Sequence, residues 1–262
     1  MVDRTGNEAL PSADLLAHDS YYRFVVIEEP AALAALIEEA LRSFDVLGTV
    51  LVATEGINVM LCGKQSAHNT ARKWFEKDPR FRELFVKQTL CETLVFQRLK
   101  VKVKREIVPL GLEGIHQLKG GGRSASPQEW CELLERDDVV LIDNRNSFEF
   151  GHGRFRNALD PKVNNFREFA NYFEEHLPEW GDRTIAMYCT GGIRCDKTAA
   201  WASSIGVEVV TLSGGIINFL QQTKDAEKYW DGTCFVFDER RELNADLTVA
   251  TDTTNPTADV DR

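Results

Sequence analysis

The chain has 262 residues, of which 43% are hydrophobic and 27% charged, a composition typical of globular proteins with one large or two ordinary domains. Its net charge of −10 argues against a nucleic-acid-binding surface over the whole molecule, and we expect no DNA partner. No apolar run approaches the roughly 20 residues of a membrane-spanning helix, and the N-terminal residues lack the apolar core of a secretory signal. We therefore expect a cytoplasmic protein without a membrane partner.

Six cysteines are scattered through the chain without a C-x-x-C pair. This spacing indicates neither a zinc site nor a disulfide framework, so we expect no metal. The sequence contains no flavin motif and no dinucleotide fingerprint, and it identifies no cofactor. Scattered thiols without an export signal are typical of proteins of the reducing cytoplasm.

The first half of the chain alternates between strand and helix patterns. Strands are predicted at 21–28, 47–54, 58–63 and 93–108, and helices after Pro30 and before Pro79. The order β-α-β-β-α-β predicts a ferredoxin-like (acylphosphatase-like) domain over residues 21–117, with a four-stranded sheet and two helices on one face. The EGIN segment that begins at Glu55 is interpreted as a hairpin turn. Residues 1–20 are predicted to form an N-terminal arm.

The last predicted strand of this domain contains the segment RLKVKVKR. Its basic side chains share one face, because successive side chains on a strand point to opposite faces. These basic residues are Arg98, Lys100, Lys102 and Lys104. Lysines on an edge strand commonly prevent edge-to-edge aggregation. The alternative interpretation is a surface that contacts the phosphates of a nucleic acid.

The second half of the chain has the pattern of an α/β domain. A Gly- and Ser-rich linker is predicted at 118–126, followed by a domain at 127–240. Continuous apolar strands are predicted at 139–146, 184–189 and 207–215. Strands of this kind, separated by amphipathic helices, predict a parallel sheet whose functional site lies at the carboxyl ends of the strands. Residues 241–262 lack periodicity and are predicted to be a disordered tail.

The segment MYCTGGIRCDK places Cys189 at the end of a predicted strand and shortly before a helix. Gly191 and Gly192 let the backbone curl so that several N–H groups point inward. The following helix N-terminus adds partial positive charge. Such surroundings lower the pKa of a thiol to roughly 3.5–7.5. The pattern favours an ionised nucleophile, and the alternative is a buried, unreactive cysteine.

The size of this loop separates two classes of enzyme. Four residues lie between Cys189 and Arg194, one fewer than in the cysteine phosphatases, whose loop holds a phosphate. The tighter loop resembles that of the rhodanese sulfurtransferases, which hold a sulfane sulfur on the thiolate. Asp143 and Arg145 in VLIDNRN match the Asp-x-Arg of the rhodaneses. The segment LSGGI at 212–216 also resembles the rhodanese segment after the last core strand.

Five segments extend the resemblance to about residue 240. They are TEGINVMLCG, FQRLKVKVKREIV, IDNRNSFEFGHGRF, MYCTGGIRCDKTAAW and WDGTCFVFDER. In this order they resemble the rhodanese-type tRNA uridine 5-hydroxylases, which pair a ferredoxin-like domain with a rhodanese domain. The resemblance implies oxygen-dependent 5-hydroxylation of the wobble uridine of tRNA, with Cys189 as the catalytic residue. It also implies molecular oxygen as co-substrate and the anticodon loop of tRNA as the partner.

The resemblance gives roles to the residues around the catalytic cysteine. The active-site loop consists of Thr190, Gly191, Gly192, Ile193 and Arg194. Arg194 either holds an anionic group near the thiol or forms a salt bridge to Asp143 or Glu149. Asp143 and Arg145 are expected to support the end of the strand. Cys195 either packs inward or forms a disulfide with the catalytic cysteine.

Three functions remain compatible with these patterns. The first is the tRNA hydroxylase, the second a thiosulfate or persulfide sulfurtransferase, and the third a non-catalytic RNA-binding protein with a rhodanese fold. A tRNA substrate requires a local basic surface on this acidic chain, so the resemblance makes the basic strand the leading candidate for RNA contacts. The target base must leave its stack, which costs little in a single-stranded anticodon loop.

Overall fold

The computed structural model describes residues 15–112 and 121–251. Its helices are α1 (Pro30–Ser43), α2 (Gln65–Phe75), α3 (Pro127–Leu134), α4 (Ser147–His152), α5 (Phe169–Trp180), α6 (Ile193–Ser204) and α7 (Gly215–Gln222). Its strands are β1 (Leu16–Phe24), β2 (Leu47–Ala53), β3 (Gly56–Lys64), β4 (Lys87–Cys91), β5 (Leu99–Val103), β6 (Arg123–Ala125), β7 (Val139–Asp143), β8 (Gly153–Phe155), β9 (Thr184–Tyr188), β10 (Val210–Leu212), β11 (Trp230–Gly232), β12 (Cys234–Phe235) and β13 (Glu242–Leu243). None of the helices in these two ranges is both long and apolar enough to cross a membrane.

Strands β1 to β5 form one sheet, in the order β4-β1-β3-β2-β5. The first four strands of this order are antiparallel neighbours, whereas β5 runs parallel to β2 at the edge. Helices α1 and α2 pack against the sheet through a single buried cluster that includes Ile37, Val59 and Phe75. The sheet and its two helices confirm the predicted ferredoxin-like class, with one strand more than expected.

The predicted final strand over residues 93–108 is wrong. The fourth strand of the fold is β4, which pairs with β1, and Leu99–Val103 forms the separate β5 at the opposite edge. Residues 92–98 between them form bends, with Val95 buried. Alternation indicates an extended backbone, but it does not tell which strand is the neighbour. The short polar segment KQTLC of β4 also gives a weak strand signal.

Strand β1 begins at Leu16, so the predicted arm over residues 1–20 is wrong from that residue on. Residues 1–14 lie outside the described ranges. The first five residues of β1 pair with both β3 and β4. Among them Asp19 is fully buried and accepts two hydrogen bonds from Arg72, each at 2.8 Å. A buried ion pair interrupts the apolar alternation by which a strand is recognised.

Strands β6, β10, β9 and β7 form a second sheet in that order, and every pair in it is parallel. Helices α5 and α6 cover one face of this sheet, and α3 and α7 cover the other. This arrangement confirms the predicted parallel α/β domain. Asp143 ends β7 and Cys189 follows β9, so both lie at the carboxyl edge of the sheet, where sites of such folds lie.

The predicted linker at 118–126 contains strand β6. Its residues Arg123–Ala125 pair in parallel with β10. Residues 118–120 lie outside the described part of the chain. Helix α3 follows directly, after a capping box between Ser126 and Glu129. A three-residue strand with a single buried side chain, that of Ala125, leaves little hydrophobic pattern, so the composition of this segment indicates a linker.

Residues 241–251 are folded, so the predicted disordered tail is wrong over this range, and residues 252–262 lie outside the described structure. Strand β13 pairs with β12, and the N–H of Ala250 donates to the carbonyl of Glu242 at 3.0 Å. Leu243 is buried in the core of the second domain. A two-residue strand with one buried leucine is too short to produce a periodic pattern.

A buried lysine connects the two domains. Lys197 on α6 donates hydrogen bonds to both carboxylate oxygens of Glu55, at 3.0 and 2.9 Å. Its ammonium also donates to Glu106 at 2.6 Å and to the backbone carbonyl of Val108 at 2.8 Å. Glu55 accepts a further hydrogen bond from the N–H of Ile107 at 2.7 Å. The EGIN turn is the hairpin between β2 and β3, and its glutamate also holds the domains together.

Candidate active site

The loop after β9 curls around the sulfur of Cys189. Gly192 has a φ of +95°, in the left-handed region that favours glycine, and donates its N–H to Cys189 Sγ at 3.2 Å. The backbone carbonyl of Cys189 accepts a hydrogen bond from the N–H of Ile216 at 3.0 Å. Gly215 allows this approach of α7, since a Cβ there would lie 2.4 Å from the same carbonyl oxygen. The LSGGI segment therefore packs against the cysteine loop.

The surroundings of the Cys189 sulfur favour its charged form. Burial by itself raises the pKa of the Cys189 thiol. The neighbouring Cys195 thiol, the charge of Arg194 and backbone N–H groups outweigh this effect and lower the pKa to about 5. An unperturbed cysteine titrates near 8.5. Cys189 is therefore a thiolate at neutral pH. Cys195 is a free, buried thiol rather than half of a disulfide, and burial together with its hydrogen bond to Cys189 raises its own pKa.

Arg194 forms a two-pronged ion pair with Glu149. Its two terminal nitrogens donate to the two carboxylate oxygens at 2.7 and 2.8 Å, and both side chains are buried. Burial raises the pKa of Glu149, yet the charge and hydrogen bonds of Arg194 lower it below the ordinary value. Of the two carboxylates named from the sequence, Glu149 and not Asp143 is the partner. The charge of Arg194 still acts on the thiol of Cys189.

Asp143 and Arg145 form a second buried ion pair. The Nε and Nη2 atoms of Arg145 donate to Asp143 at 2.8 and 2.6 Å, and Nη2 also donates to the carbonyl of Gly153 at 2.6 Å. The guanidinium lies 5.7 Å from the ring centroid of Tyr188 and 5.5 Å from that of Trp230. These contacts join the ends of β7, β8 and β9, so the pair fixes the strand ends that precede the loop.

Three side chains of the N-terminal domain cover the cysteine loop. Lys87, at the start of β4, lies over Gly191, where a Cβ would be 3.5 Å from Lys87 Cε. The hydroxyl of Tyr22 donates to Asp196 at 2.7 Å. The ammonium of Lys87 lies 5.1 Å from the ring centroid of Tyr22 and 5.4 Å from that of Phe85. Under this cover, which we call the aromatic cap (Tyr22, Phe85 and Lys87), the loop cysteine is only 1% exposed.

The aromatic cap brings titratable groups close to the thiolate. Burial lowers the pKa of Lys87 to about 8, although the negative charges of Cys189 and Asp196 act in the opposite direction. Burial raises the pKa of Asp196, and the thiolate adds to this effect, while the hydrogen bond from Tyr22 opposes it. The sulfur, the carboxylate and the amine therefore influence one another's protonation.

A cavity of about 520 Å³ lies between the domains beside the aromatic cap. Tyr22, Phe85, Asp196, Lys197 and Gly214 are among the residues of its wall. Its volume falls within the roughly 300–1,000 Å³ typical of small-molecule sites. Throughout residues 15–112 and 121–251, no group of three or more His, Cys, Asp or Glu side chains is arranged to hold a metal ion. Tyr22 and Asp196 border both this cavity and the cysteine loop, so the cavity adjoins the covered sulfur.

Sequence reasoning missed Tyr22, Lys87 and Asp196. Tyr22 and Lys87 belong to the other domain and lie far from the loop in the chain, so no local motif marks them. Lys87 also belongs to the strand that the hydrophobic pattern failed to identify. Asp196 stands in the quoted segment MYCTGGIRCDK, in the first turn of the helix that follows the loop. An acidic residue so close to a candidate thiolate was the available signal.

The basic strand lies apart from the cysteine loop. Its four side chains are exposed, and they belong to Arg98, Lys100, Lys102 and Lys104. Strand β5 and strand β4, which carries Lys87, occupy opposite edges of the sheet. At roughly 3.3 Å per residue, the segment from residue 98 to residue 104 extends about 20 Å. The structure therefore places a solvent-facing basic row at the opposite edge of the sheet from the strand that carries Lys87.

Comparisons with known proteins agree with both domains. Residues 17–107 match the UPF0176 acylphosphatase like domain, and residues 126–222 match the rhodanese-like domain. The chain is 36% identical over 222 residues to the tRNA uridine(34) hydroxylases of Legionella pneumophila strains Corby and Paris. Each of these alignments covers 84% of this chain and 87% of the relative. A crystal structure of a rhodanese-like domain protein from Staphylococcus aureus is 22% identical with a TM-score of 0.31, covering 37% of this chain and 90% of that one.

Proposed function

This chain belongs to the tRNA uridine(34) hydroxylase family, and we propose that it hydroxylates carbon 5 of the wobble uridine of tRNA, with molecular oxygen as co-substrate and an external two-electron donor that reduces the second oxygen atom to water. Cys189 is the catalytic residue in this proposal. The observation that supports it most is the geometry of the loop, in which the Gly192 N–H donates to Cys189 Sγ at 3.2 Å and the ion pair with Glu149 holds Arg194 in place. This arrangement favours the thiolate and lowers the pKa of Cys189 to about 5. The thiolate, and not the thiol, is the reactive form of cysteine.

The residues around Cys189 keep its sulfur charged in a fixed position. The Gly192 N–H donates a hydrogen bond to it at 3.2 Å, and the neighbouring Cys195 thiol favours its charged form. Arg194 contributes positive charge, and its ion pair with Glu149 holds that charge in place. Donors that are already oriented do not have to rearrange when charge is present at the sulfur. We propose that the whole segment 190–194 acts in this way as the active-site loop.

We propose that the anticodon loop is the part of tRNA that this enzyme binds. A base within a helical stack cannot reach a covered sulfur, so the wobble base has to unstack, and a single-stranded loop makes this inexpensive. The net charge of −10 leaves only local basic surfaces for phosphate contacts. The exposed basic strand is the candidate, with Arg98, Lys100, Lys102 and Lys104. A tRNA substrate and six free cysteines both support a cytoplasmic location.

The test is a nucleoside comparison by mass spectrometry of tRNA. Cells that lack the gene should lack wobble 5-hydroxyuridine, and the wild-type gene should restore it. A Cys189→Ser form should not restore it, because a serine hydroxyl is not ionised at neutral pH. The matched control is Cys131→Ser, which changes a half-buried thiol on α3 away from the loop and should restore the nucleoside fully. Full restoration by Cys189→Ser would contradict the proposal.

The same proteins can be assayed for the sulfurtransferase alternative. That function predicts release of thiocyanate from thiosulfate and cyanide, and its loss in Cys189→Ser. If thiocyanate release depends on Cys189 while 5-hydroxyuridine does not, the loop serves sulfur transfer and the hydroxylase proposal fails. We expect 5-hydroxyuridine to depend on Cys189.

A further inference from the structure

Lys87 is a buried amine with no hydrogen-bond acceptor within residues 15–112 and 121–251. The residue is 3% exposed, so water reaches it poorly. Buried polar groups in proteins are nearly always hydrogen-bonded, and an exception calls for an explanation. An ammonium has three donors and no acceptor, so its missing partner must be an acceptor.

The surroundings of Lys87 compensate its burial only in part. The rings of Tyr22 and Phe85 face the ammonium at 5.1 and 5.4 Å from their centroids. These cation–π contacts are weaker than the desolvation of an ammonium. The charges of Cys189 and Asp196 favour the protonated amine, but neither group forms a hydrogen bond with it in the described structure. The amine is therefore retained at the cost of stability, which is typical of functional positions.

The side chains of Lys87 and Tyr22 lie close to the backbone of the cysteine loop. A Cβ on Gly191 would lie 3.5 Å from Lys87 Cε, and a Cβ on Gly192 would lie 2.8 Å from the Tyr22 hydroxyl. The aromatic cap therefore rests directly on the loop backbone. A base that reaches the sulfur has to take the place of part of this cap. It then lies against the amine of Lys87.

We propose that Lys87 is a substrate-binding residue of the cysteine site, and that its ammonium donates a hydrogen bond to a carbonyl oxygen of the uracil ring. This inference rests on the proposed function, which supplies uracil as the ligand. Uracil has two carbonyl oxygens that can accept from the ammonium, and its flat ring can stack on Tyr22 or Phe85, which line the cavity and face the amine. The N-terminal domain thus contributes one residue to a site whose reactive sulfur belongs to the second domain.

The test compares Lys87→Met with Lys77→Met, an exposed lysine of the same domain that follows α2. Both variants are made in the Cys189→Ser background, so that bound tRNA is not turned over. Affinity is measured for a tRNA with uridine at the wobble position and for the same tRNA with an abasic wobble position. Lys87→Met should weaken binding of the uridine tRNA about tenfold or more, the range of a charged hydrogen bond, and leave binding of the abasic tRNA unchanged. Lys77→Met should change neither.

A thermal melt separates binding from a structural role. Lys87→Met replaces an unpartnered buried charge with an apolar side chain of similar length, so its melting temperature should equal or exceed that of the parent. A lower melting temperature with weaker binding of both tRNAs would overturn the proposal, and so would unchanged affinity for the uridine tRNA. A wild-type protein that forms no 5-hydroxyuridine would contradict the proposed function itself, whatever the binding measurements show. If it does form 5-hydroxyuridine and Lys87→Met binds both tRNAs normally, only the role of Lys87 is wrong.

Discussion

The ionisation of Cys189 can be measured without any substrate. A thiolate absorbs near 240 nm and a thiol does not, so the difference in absorbance between the wild type and Cys189→Ser reports this one sulfur. We expect the difference to titrate with a midpoint of about pH 5. At pH 7 about 99% of the sulfur is then charged, against about 3% for an ordinary cysteine. Absorbance suits this buried sulfur, because an alkylating reagent has to pass the aromatic cap.

The neighbouring Cys195 thiol lowers the pKa of Cys189 as a hydrogen-bond donor would, and removing this thiol tests the cause of the shift. A hydrogen bond to a charged group contributes about 1.5–3 kcal/mol, and one pKa unit corresponds to about 1.4 kcal/mol. Cys195→Ala should therefore raise the midpoint by about one to two pH units. Cys195→Ser keeps a donor and should raise it less. A wild-type midpoint above about pH 7, or an unchanged midpoint in Cys195→Ala, would refute the reasoning.

The same pKa shift links protonation to folding. The pKa of Cys189 is lower in the folded protein than in the unfolded chain, where it is about 8.5. The thiolate thus stabilises the fold fully above about pH 8.5, and this contribution is lost as the pH falls towards 5. The free energy of unfolding of the wild type, relative to Cys189→Ser, should decrease over that interval.

Two further predictions concern the contact between the domains and the basic strand. Lys197→Met leaves Glu55 buried without its counter-charge and should lower the free energy of unfolding by about 3–5 kcal/mol in urea titrations, whereas adding Glu55→Gln should recover part of the loss. A loss below 1 kcal/mol would contradict the buried ion pair. The double substitution of Lys100 and Lys102 by Ala should reduce the slope of log affinity for tRNA against log salt by about 1.4, at roughly 0.7 per phosphate contact, without changing the melting temperature. An unchanged slope would remove the basic strand from the RNA surface.

The cysteine loop could be predicted from the sequence because its determinants are local. A buried strand, two glycines, an arginine and a helix follow one another within MYCTGGIRCDK, and each acts on its neighbours in the chain. The curl of the backbone at Gly192 and the charge of Arg194 both depend on this short segment. The parallel sheet was predictable for a similar reason, since its continuous apolar strands indicate burial on both faces.

The aromatic cap could not be predicted, because it depends on which strands pair. Lys87 reaches the loop only because β4 lies beside β1. The sequence pattern predicts residues 93–108 as the last strand of this domain, whereas β4 (Lys87–Cys91) is the strand that pairs with β1. Strand pairing is a property of the whole sheet, and a polar five-residue strand carries little information about it. The pairing of Glu149 with Arg194, out of two possible carboxylates, is likewise set by tertiary contacts.

A base could reach the covered sulfur in two ways, by separation of the domains or by rotation of side chains of the aromatic cap. The contacts that each movement breaks favour rotation of the side chains. Separating the domains would break several contacts at once, including the hydrogen bonds from Lys197 to Glu55 and Glu106 and the hydrogen bond from Arg240 to Thr89. Turning Tyr22 away from Asp196 breaks one hydrogen bond to a carboxylate, about 1.5–3 kcal/mol. Opening of the aromatic cap by side-chain rotation therefore costs less than separation of the domains. If Tyr22→Phe, which removes the hydrogen bond to Asp196, does not make the Cys189 sulfur more accessible to an alkylating reagent, rotation of the cap is not the step that exposes it, and movement of the whole N-terminal domain is required.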